Sequence, residues 1–300
     1  MNSPYSHPSL DQSRDVLISM RPKQWVKNLL LLAALIFSKN VFHPPMLLTS
    51  VKAFVIFCVL SSGVYLLNDL VDIEKDRIHP RKALRPLASG RLNPCLAKAV
   101  CLGLLVFSVA ASFFINRAFG AVCLGYLVLQ IAYSKWFKER VLLDVFSIAA
   151  GFFLRVIAGA KAIEVPISSW LLLCTLFLSL FLALGKRRHE LVSLGEEAKN
   201  HRGVLREYDV SLLDQMMGVV TAGTIISYAL YTLSYETIQK FQTENLGFTI
   251  PIVLYGIFRY LYLVYQQGEG GHPELLFFDD KPLLSAVLLY GIVVGIVLYL

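Results

Sequence analysis

From residue 24 to residue 300 the chain alternates long apolar runs with polar breaks. "LLTSVKAFVIFCVLSSGVYLL" (47–67) and "LLSAVLLYGIVVGIVLYL" (283–300) are two of these runs. About 20 apolar residues suffice to cross the hydrocarbon core of a bilayer as a helix. The pattern predicts nine transmembrane helices, at about 24–42, 46–68, 96–115, 118–134, 141–161, 167–185, 213–235, 246–265 and 282–300. The first has a short uninterrupted apolar core, "LLLLAALIF". Two connections are long and hydrophilic, 69–95 and 186–212. The others are short, so neighbouring helices should run antiparallel and pack together. The expectation is an all-α integral membrane protein, with one transmembrane domain over 1–300. Its N-terminal segment, 1–20, is polar and lacks an apolar core with a cleavage site, so no cleaved signal peptide is expected.

Composition agrees with the pattern. Hydrophobic residues make up 56% of the chain and charged residues only 16%, against about a quarter charged in soluble domains. The charge that remains is unevenly spread. Of 28 Lys and Arg residues, Lys52, Arg155 and Arg259 lie inside spans. Lys39, Arg117, Lys161 and Lys240 lie at the far end of the first span or in odd-numbered connections, and the rest on the opposite side. That bias predicts that the N-terminus and both long connections face the cytoplasm. The net charge of +7 then faces the cytosol, with scattered residues such as Lys199, Arg202 and Arg206 suited to anionic headgroups. No nucleic-acid partner is expected. The five cysteines (58, 95, 101, 123, 174) form no CxxC pair and read as small packing residues.

One stretch carries charge of both signs: "YLLNDLVDIEKDRIHPRKALRP", residues 65–86. Tyr65, Asn68, Asp72 and Asp76 are spaced i, i+3, i+7, i+11, one stripe of a helix, and Asp69 flanks it. Carboxylates three and four residues apart repel on a bare helix. A cation between them relieves this, and a donor set made only of oxygens suits Mg²⁺ that keeps waters and bridges to phosphates. The alternative is a solvated helix end closing a span. Pro80 would end the helix, letting Lys82, Arg81, Arg85 and Arg91 fold back, with Lys82 the preferred contact and Arg81 and Arg91 equally suited to anchoring headgroups. Arg155 lies inside "FSIAAGFFLRVIAGA", where an ionisable side chain normally faces an interior cavity or a partner. Asp144, eleven residues earlier on the same face, is one candidate partner; a phosphate is the other. Arg259 reads as a structural pair with a carboxylate in another span.

At "NDLVDIEKD" (68–76) the chain resembles the UbiA superfamily of intramembrane prenyltransferases, through its NDxxDxxxD signature. "YSKWFKERVLLD" is similar to the second-loop pattern of that family, at Tyr133, Lys138 and Asp144. The resemblance implies nine helices around a cytoplasm-facing polar cavity in the plasma membrane. Within the superfamily, "RPKQWVKNLLLLAALIFS", "HPRKALRPLASG", "LRVIAGA" and "LALGKRRHEL" resemble the polyprenyl-phosphate phosphoribosyltransferase branch. Where relatives that use prenyl diphosphates carry a second aspartate-rich motif, this chain reads "GKRRHE".

That branch implies an Mg²⁺-dependent transfer of 5-phosphoribose from 5-phosphoribosyl 1-diphosphate to a polyprenyl (decaprenyl-type) phosphate for cell-wall arabinan, releasing pyrophosphate. Asn68 and Asp72 would hold the metal, with Asp69 and Asp76 supporting a second ion or orienting waters. Lys27, Tyr65, Lys82, Tyr133, Lys138, Asp144, Arg155, Lys186 and Arg187 would form the substrate-binding set. Two alternatives stand beside this: an aromatic prenyltransferase using a prenyl diphosphate, and an ion-coupled transporter. Against the transporter, the acidic cluster falls at a helix end and no pair of broken helices is evident. Homo-oligomerisation is left open.

Overall fold

In hydrocarbon every backbone N–H and C=O must find its partner within the segment, so long apolar runs fold as helices. The computed structural model describes residues 9–80, 82–194, 203–271, 276 and 278–299, and among these it is helical without strands. A peripheral helix α1 (Ser9–Met20) leads into a 3₁₀ segment (Pro22–Leu32) and the short α2 (Ala33–Phe37). Then come α3 (Pro44–Val71), the short α4 (Ile73–Arg77), α5 (Pro94–Ile115), α6 (Arg117–Lys135) and α7 (Leu143–Ala162). The second half holds α8 (Ser169–Leu194), α9 (Val210–Leu233), the short α10 (Tyr235–Phe241), α11 (Ile250–Gln266) and α12 (Lys281–Tyr299).

Among the described residues, 8 helices are long and apolar enough to cross a membrane: α3, α5 to α9, α11 with the 3₁₀ turn before it, and α12. The segment expected as a first span differs. Residues 22–32 wind as a 3₁₀ helix and only 33–37 as α-helix. A 3₁₀ helix has three residues per turn, so side chains three apart lie over one another. Trp25, Asn28 and Leu31 therefore form one row against the bundle: Trp25 Nε1 donates to Ser62 Oγ at 3.0 Å and Asn28 Nδ2 to Ser61 Oγ at 3.1 Å, and Leu31 is fully buried. The wider rise stretches 22–37 to roughly 30 Å, about the thickness of the hydrocarbon core.

Sequential helices pack on one another from α5 through α9, and α7 is central, touching α3, α6, α8, α2 and the 3₁₀ segment. It joins two apolar cores. One holds Val145 and Ala149 with Phe181, Leu184, Leu213, Met217 and Leu263, and the other Ala158 with Leu31, Phe57, Leu60, Phe119 and Tyr126. The small residues of α7 permit this. A Cβ added at Gly159 would lie 1.8 Å from the Leu31 carbonyl oxygen, so only glycine lets the 3₁₀ segment come so near.

Candidate active site

α3 ends at Val71 and α4 starts at Ile73, with Asp72 capping both, yet the backbone ladder continues: Asp72 N–H donates to Asn68 O at 3.0 Å and Asp76 N–H to Asp72 O at 2.8 Å. The acidic stripe thus survives the break and meets cations from three directions. Arg21, at the start of the 3₁₀ segment, donates to Asp69 Oδ1 and stacks over the Tyr65 ring at 5.1 Å. Arg85 Nη1 bridges Asp69 Oδ1 at 3.1 Å and Asp76 Oδ2 at 2.5 Å. Lys138, in the connection between α6 and α7, reaches Asp72 Oδ1 at 2.5 Å. Ser134 Oγ, near the end of α6, donates to Asn68 Oδ1. Asp69 and Asp76 are buried, with side chains 3% and 5% exposed, whereas Asp72 remains 26% exposed.

The other candidates fall into two groups. Lys27 is half-buried on the row of Gln24, donating to its Oε1 at 2.5 Å; Lys82 is exposed on the turn after Pro80; Tyr133 and Lys186 are half-buried. Asp144 and Arg187 form a buried pair instead: Arg187 Nε donates to Asp144 Oδ2 at 2.6 Å, with side chains 1% and 0% exposed. Arg187 Nη1 also reaches Glu190 Oε2 at 2.5 Å, and Tyr133 is near enough to act on the same guanidinium electrostatically. Arg155 has no carboxylate partner among the described residues. Its Nε donates to Asn28 Oδ1 at 2.8 Å, Nη1 to Gly151 O at 2.7 Å and Nη2 to Tyr126 OH at 3.0 Å, among the rings of Phe57, Tyr126 and Phe152. Tyr126 precedes Ser134 by eight residues on α6, so this guanidinium lies about 12 Å deeper in the bundle than the Asn68 contact.

Residues 29–278 match the UbiA prenyltransferase family. The chain belongs to that family. Decaprenyl-phosphate phosphoribosyltransferase of Corynebacterium glutamicum is 31% identical, covering 98% of this chain and 89% of that protein. The protein of the same name from Mycolicibacterium smegmatis is 30% identical, covering 99% and 96%. A UbiA homologue of Archaeoglobus fulgidus, solved with GPP and Mg²⁺ bound, shares the fold with a TM-score of 0.69 at 20% identity, over 95% of this chain and 96% of that one.

Among the described residues of this UbiA member, no three His, Cys, Asp or Glu side chains stand as a preformed metal cluster. The donor chemistry nevertheless fits a hard divalent cation: an amide and a partly open carboxylate at Asn68 and Asp72, all oxygen, beside two more carboxylates. Arg85 and Lys138 supply the positive charge that such a stripe demands. Arg259 pairs bidentately with Asp280 before α12, Nε at 3.1 Å and Nη2 at 2.7 Å. Arg81, Lys199 and Arg202 lie outside the described residues.

Arg21, Asn28, Ser134 and Tyr208 were not nominated from the sequence. Arg21 and Asn28 lie in "RPKQWVKNLLLLAALIFS" and Ser134 in "YSKWFKERVLLD", but nothing local singles them out beyond the polar Asn28 directly before "LLLL"; Tyr208 lies in neither stretch, and the partners of all four are remote in sequence.

Proposed function

We propose that this chain transfers the 5-phosphoribosyl group of 5-phosphoribosyl 1-diphosphate to a polyprenyl phosphate of the decaprenyl type, releasing pyrophosphate, as a step toward cell-wall arabinan. The observation that carries this reading is about 30% identity, over nearly the whole chain, to relatives named for decaprenyl-phosphate phosphoribosyl transfer. Within "GKRRHE" near the end of α8, Arg187 pairs with Asp144 and Arg188 with Asp214, and Lys186 is the residue this reading assigns to a second anionic substrate group. In this reading the protein is multi-pass in the plasma membrane, the 3₁₀ segment with α2 serves as the ninth crossing, and the acidic stripe faces the cytoplasm, as the Lys and Arg bias supports.

The lipid phosphate oxygen attacks C1 of the ribose, the C1–O bond to the diphosphate breaks, and its electron pair leaves with pyrophosphate. A phosphate monoester is already largely ionised near neutral pH, with a second pKa near 6, so it needs positioning more than a general base. Asn68 and Asp72 are the residues that would hold Mg²⁺, with Asp69 and Asp76 behind them. When bound, the cation neutralises charge building on the departing diphosphate. In this reading Lys138, beside Asp72, shares that charge, Lys27, Lys82 and Lys186 meet the remaining phosphates, and Tyr65 and Tyr133 donate hydrogen bonds. Arg155, Asp144 and Arg187 act from behind these groups. Arg155 fixes Asn28 and hence the segment carrying Lys27, while the Asp144–Arg187 pair fixes the ends of α7 and α8.

Purified protein supplied with 5-phosphoribosyl 1-diphosphate, polyprenyl phosphate and Mg²⁺ should release pyrophosphate only when both substrates are present. Asp72→Asn should lose most of that turnover, and chelation all of it until Mg²⁺ is returned. Prenylation of a phenolic acid from a prenyl diphosphate, or full activity of Asp72→Asn in EDTA, would overturn the reading.

A further inference from the structure

The connection between Lys138 and α7 contains an abrupt reversal. Leu142 has φ 65° and ψ −42°, and Leu143 N–H donates to the Val141 carbonyl at 2.8 Å. This is a γ-turn of the positive-φ kind, the rare and strained form. Leucine does not adopt it readily, whereas glycine does. Strain of this sort persists only where surrounding contacts hold it.

One side chain supplies the hold. Leu142 N–H donates to the Tyr208 hydroxyl at 2.8 Å, and that hydroxyl donates to Asp144 Oδ1 at 2.9 Å. Tyr208 follows the 3₁₀ turn Gly203–Arg206, is 4% exposed, and packs in the core that includes Val145 and Val204. Burial pushes its hydroxyl up to about 12, so the proton it gives Asp144 is retained throughout the neutral range. The other oxygen of Asp144 belongs to Arg187. A single hydroxyl therefore ties the connection after α8 to the strained turn, to the first turn of α7, and through Asp144 to α8 itself. Lys138 sits four residues before Leu142 in the same short connection, and its ammonium meets Asp72.

We infer that Tyr208 is a positioning residue of this active site, its hydroxyl holding the γ-turn at Leu142 and thereby setting Lys138 against Asp72. It touches neither substrate. Which phosphate Lys138 meets rests on the function proposed above; the mechanical link does not.

Tyr208→Phe keeps the ring in its core and removes both hydrogen bonds. In the full-length protein, amide exchange at 138–143 should accelerate. The KM for the phosphoribosyl donor should rise roughly tenfold, the scale of one lost hydrogen bond, with the KM for the lipid phosphate unchanged. Leu142→Gly in the same background should return both toward wild type, because glycine adopts the turn without the hold and the Leu142 side chain, 43% exposed, gives up little packing. A merely structural role for the tyrosine would not be rescued at position 142. Wild-type exchange at 138–143 in Tyr208→Phe, or no rescue by Leu142→Gly, overturns the assignment. Should the single variant aggregate, the double variant carries the test: a monodisperse, active protein supports the assignment and continued aggregation refutes it. Exchange is read without turnover, so failure of the proposed donor leaves that arm intact.

Discussion

Replacing Arg187 by Met keeps the length of the side chain and strands the Asp144 carboxylate. That carboxylate is 0% exposed; it accepts from Arg187 Nε at 2.6 Å and from Tyr208 at 2.9 Å. After the substitution it retains one hydrogen bond and no counter-charge. Breaking a buried pair in this way costs about 3–5 kcal/mol, since the remaining charge is left uncompensated away from water. Glu190, which loses the same guanidinium, is 25% exposed and can turn to solvent, so it adds about 0–1 kcal/mol. The opposite substitution should be milder. In Asp144→Asn the guanidinium still holds Glu190 at 2.5 Å, and the loss is that of a charged hydrogen bond, about 1.5–3 kcal/mol. The double variant removes both charges together, so it should cost less than the two singles combined by about 0.5–3 kcal/mol. Reversible unfolding of the full-length protein in mixed micelles measures all three. Arg187→Met is expected to lower the thermal midpoint by on the order of 10 °C. Equal losses for the two single variants, or strict additivity in the double, would refute the reasoning.

Gly159→Ala forces the 3₁₀ segment away from α7, because the new methyl would lie 1.8 Å from a backbone oxygen that cannot swing aside. A loss of about 1–3 kcal/mol is expected. Gly151→Ala meets side chains rather than backbone, the end of Gln130 at 3.1 Å, Arg155 Nη1 at 3.5 Å and a Tyr126 ring carbon at 3.8 Å, and should lose less; equal thermal midpoints for the two would contradict the packing argument. The Arg259 hydrogen bonds hold the Asp280 carboxyl below its ordinary value of 3.8. A depressed carboxylate adds stability above its unfolded pKa and loses it as pH falls through the folded one. Asp280→Asn should therefore lower the midpoint at neutral pH, with the gap to wild type closing below about pH 4. A gap undiminished near pH 3 would count against the pair.

Much of the architecture was written locally. Run length alone marks α3, α5 to α9, α11 and α12 as membrane-length helices, because hydrocarbon leaves the backbone no other partner than itself. The 3.6-residue period likewise puts Asn68, Asp72 and Asp76 on one stripe wherever α3 comes to lie. Local rules do not set how far a helix turns about its axis or which neighbour it meets, and those decide the pairs. Asp144 and Arg155 share a face of α7 in the sequence, yet the first meets Arg187 from α8 and the second Asn28 and Tyr126. Residues 24–42 read as an ordinary span, but close approach to Gly159 and the row of Trp25, Asn28 and Leu31 hold 22–32 in a 3₁₀ helix. Tyr208 gave no sign of itself, since the turn it holds lies 66 residues earlier in the chain. These contacts join segments that are brought together only by the packing of α7 against α8 and its other neighbours, and there the tertiary structure chose what the sequence left open.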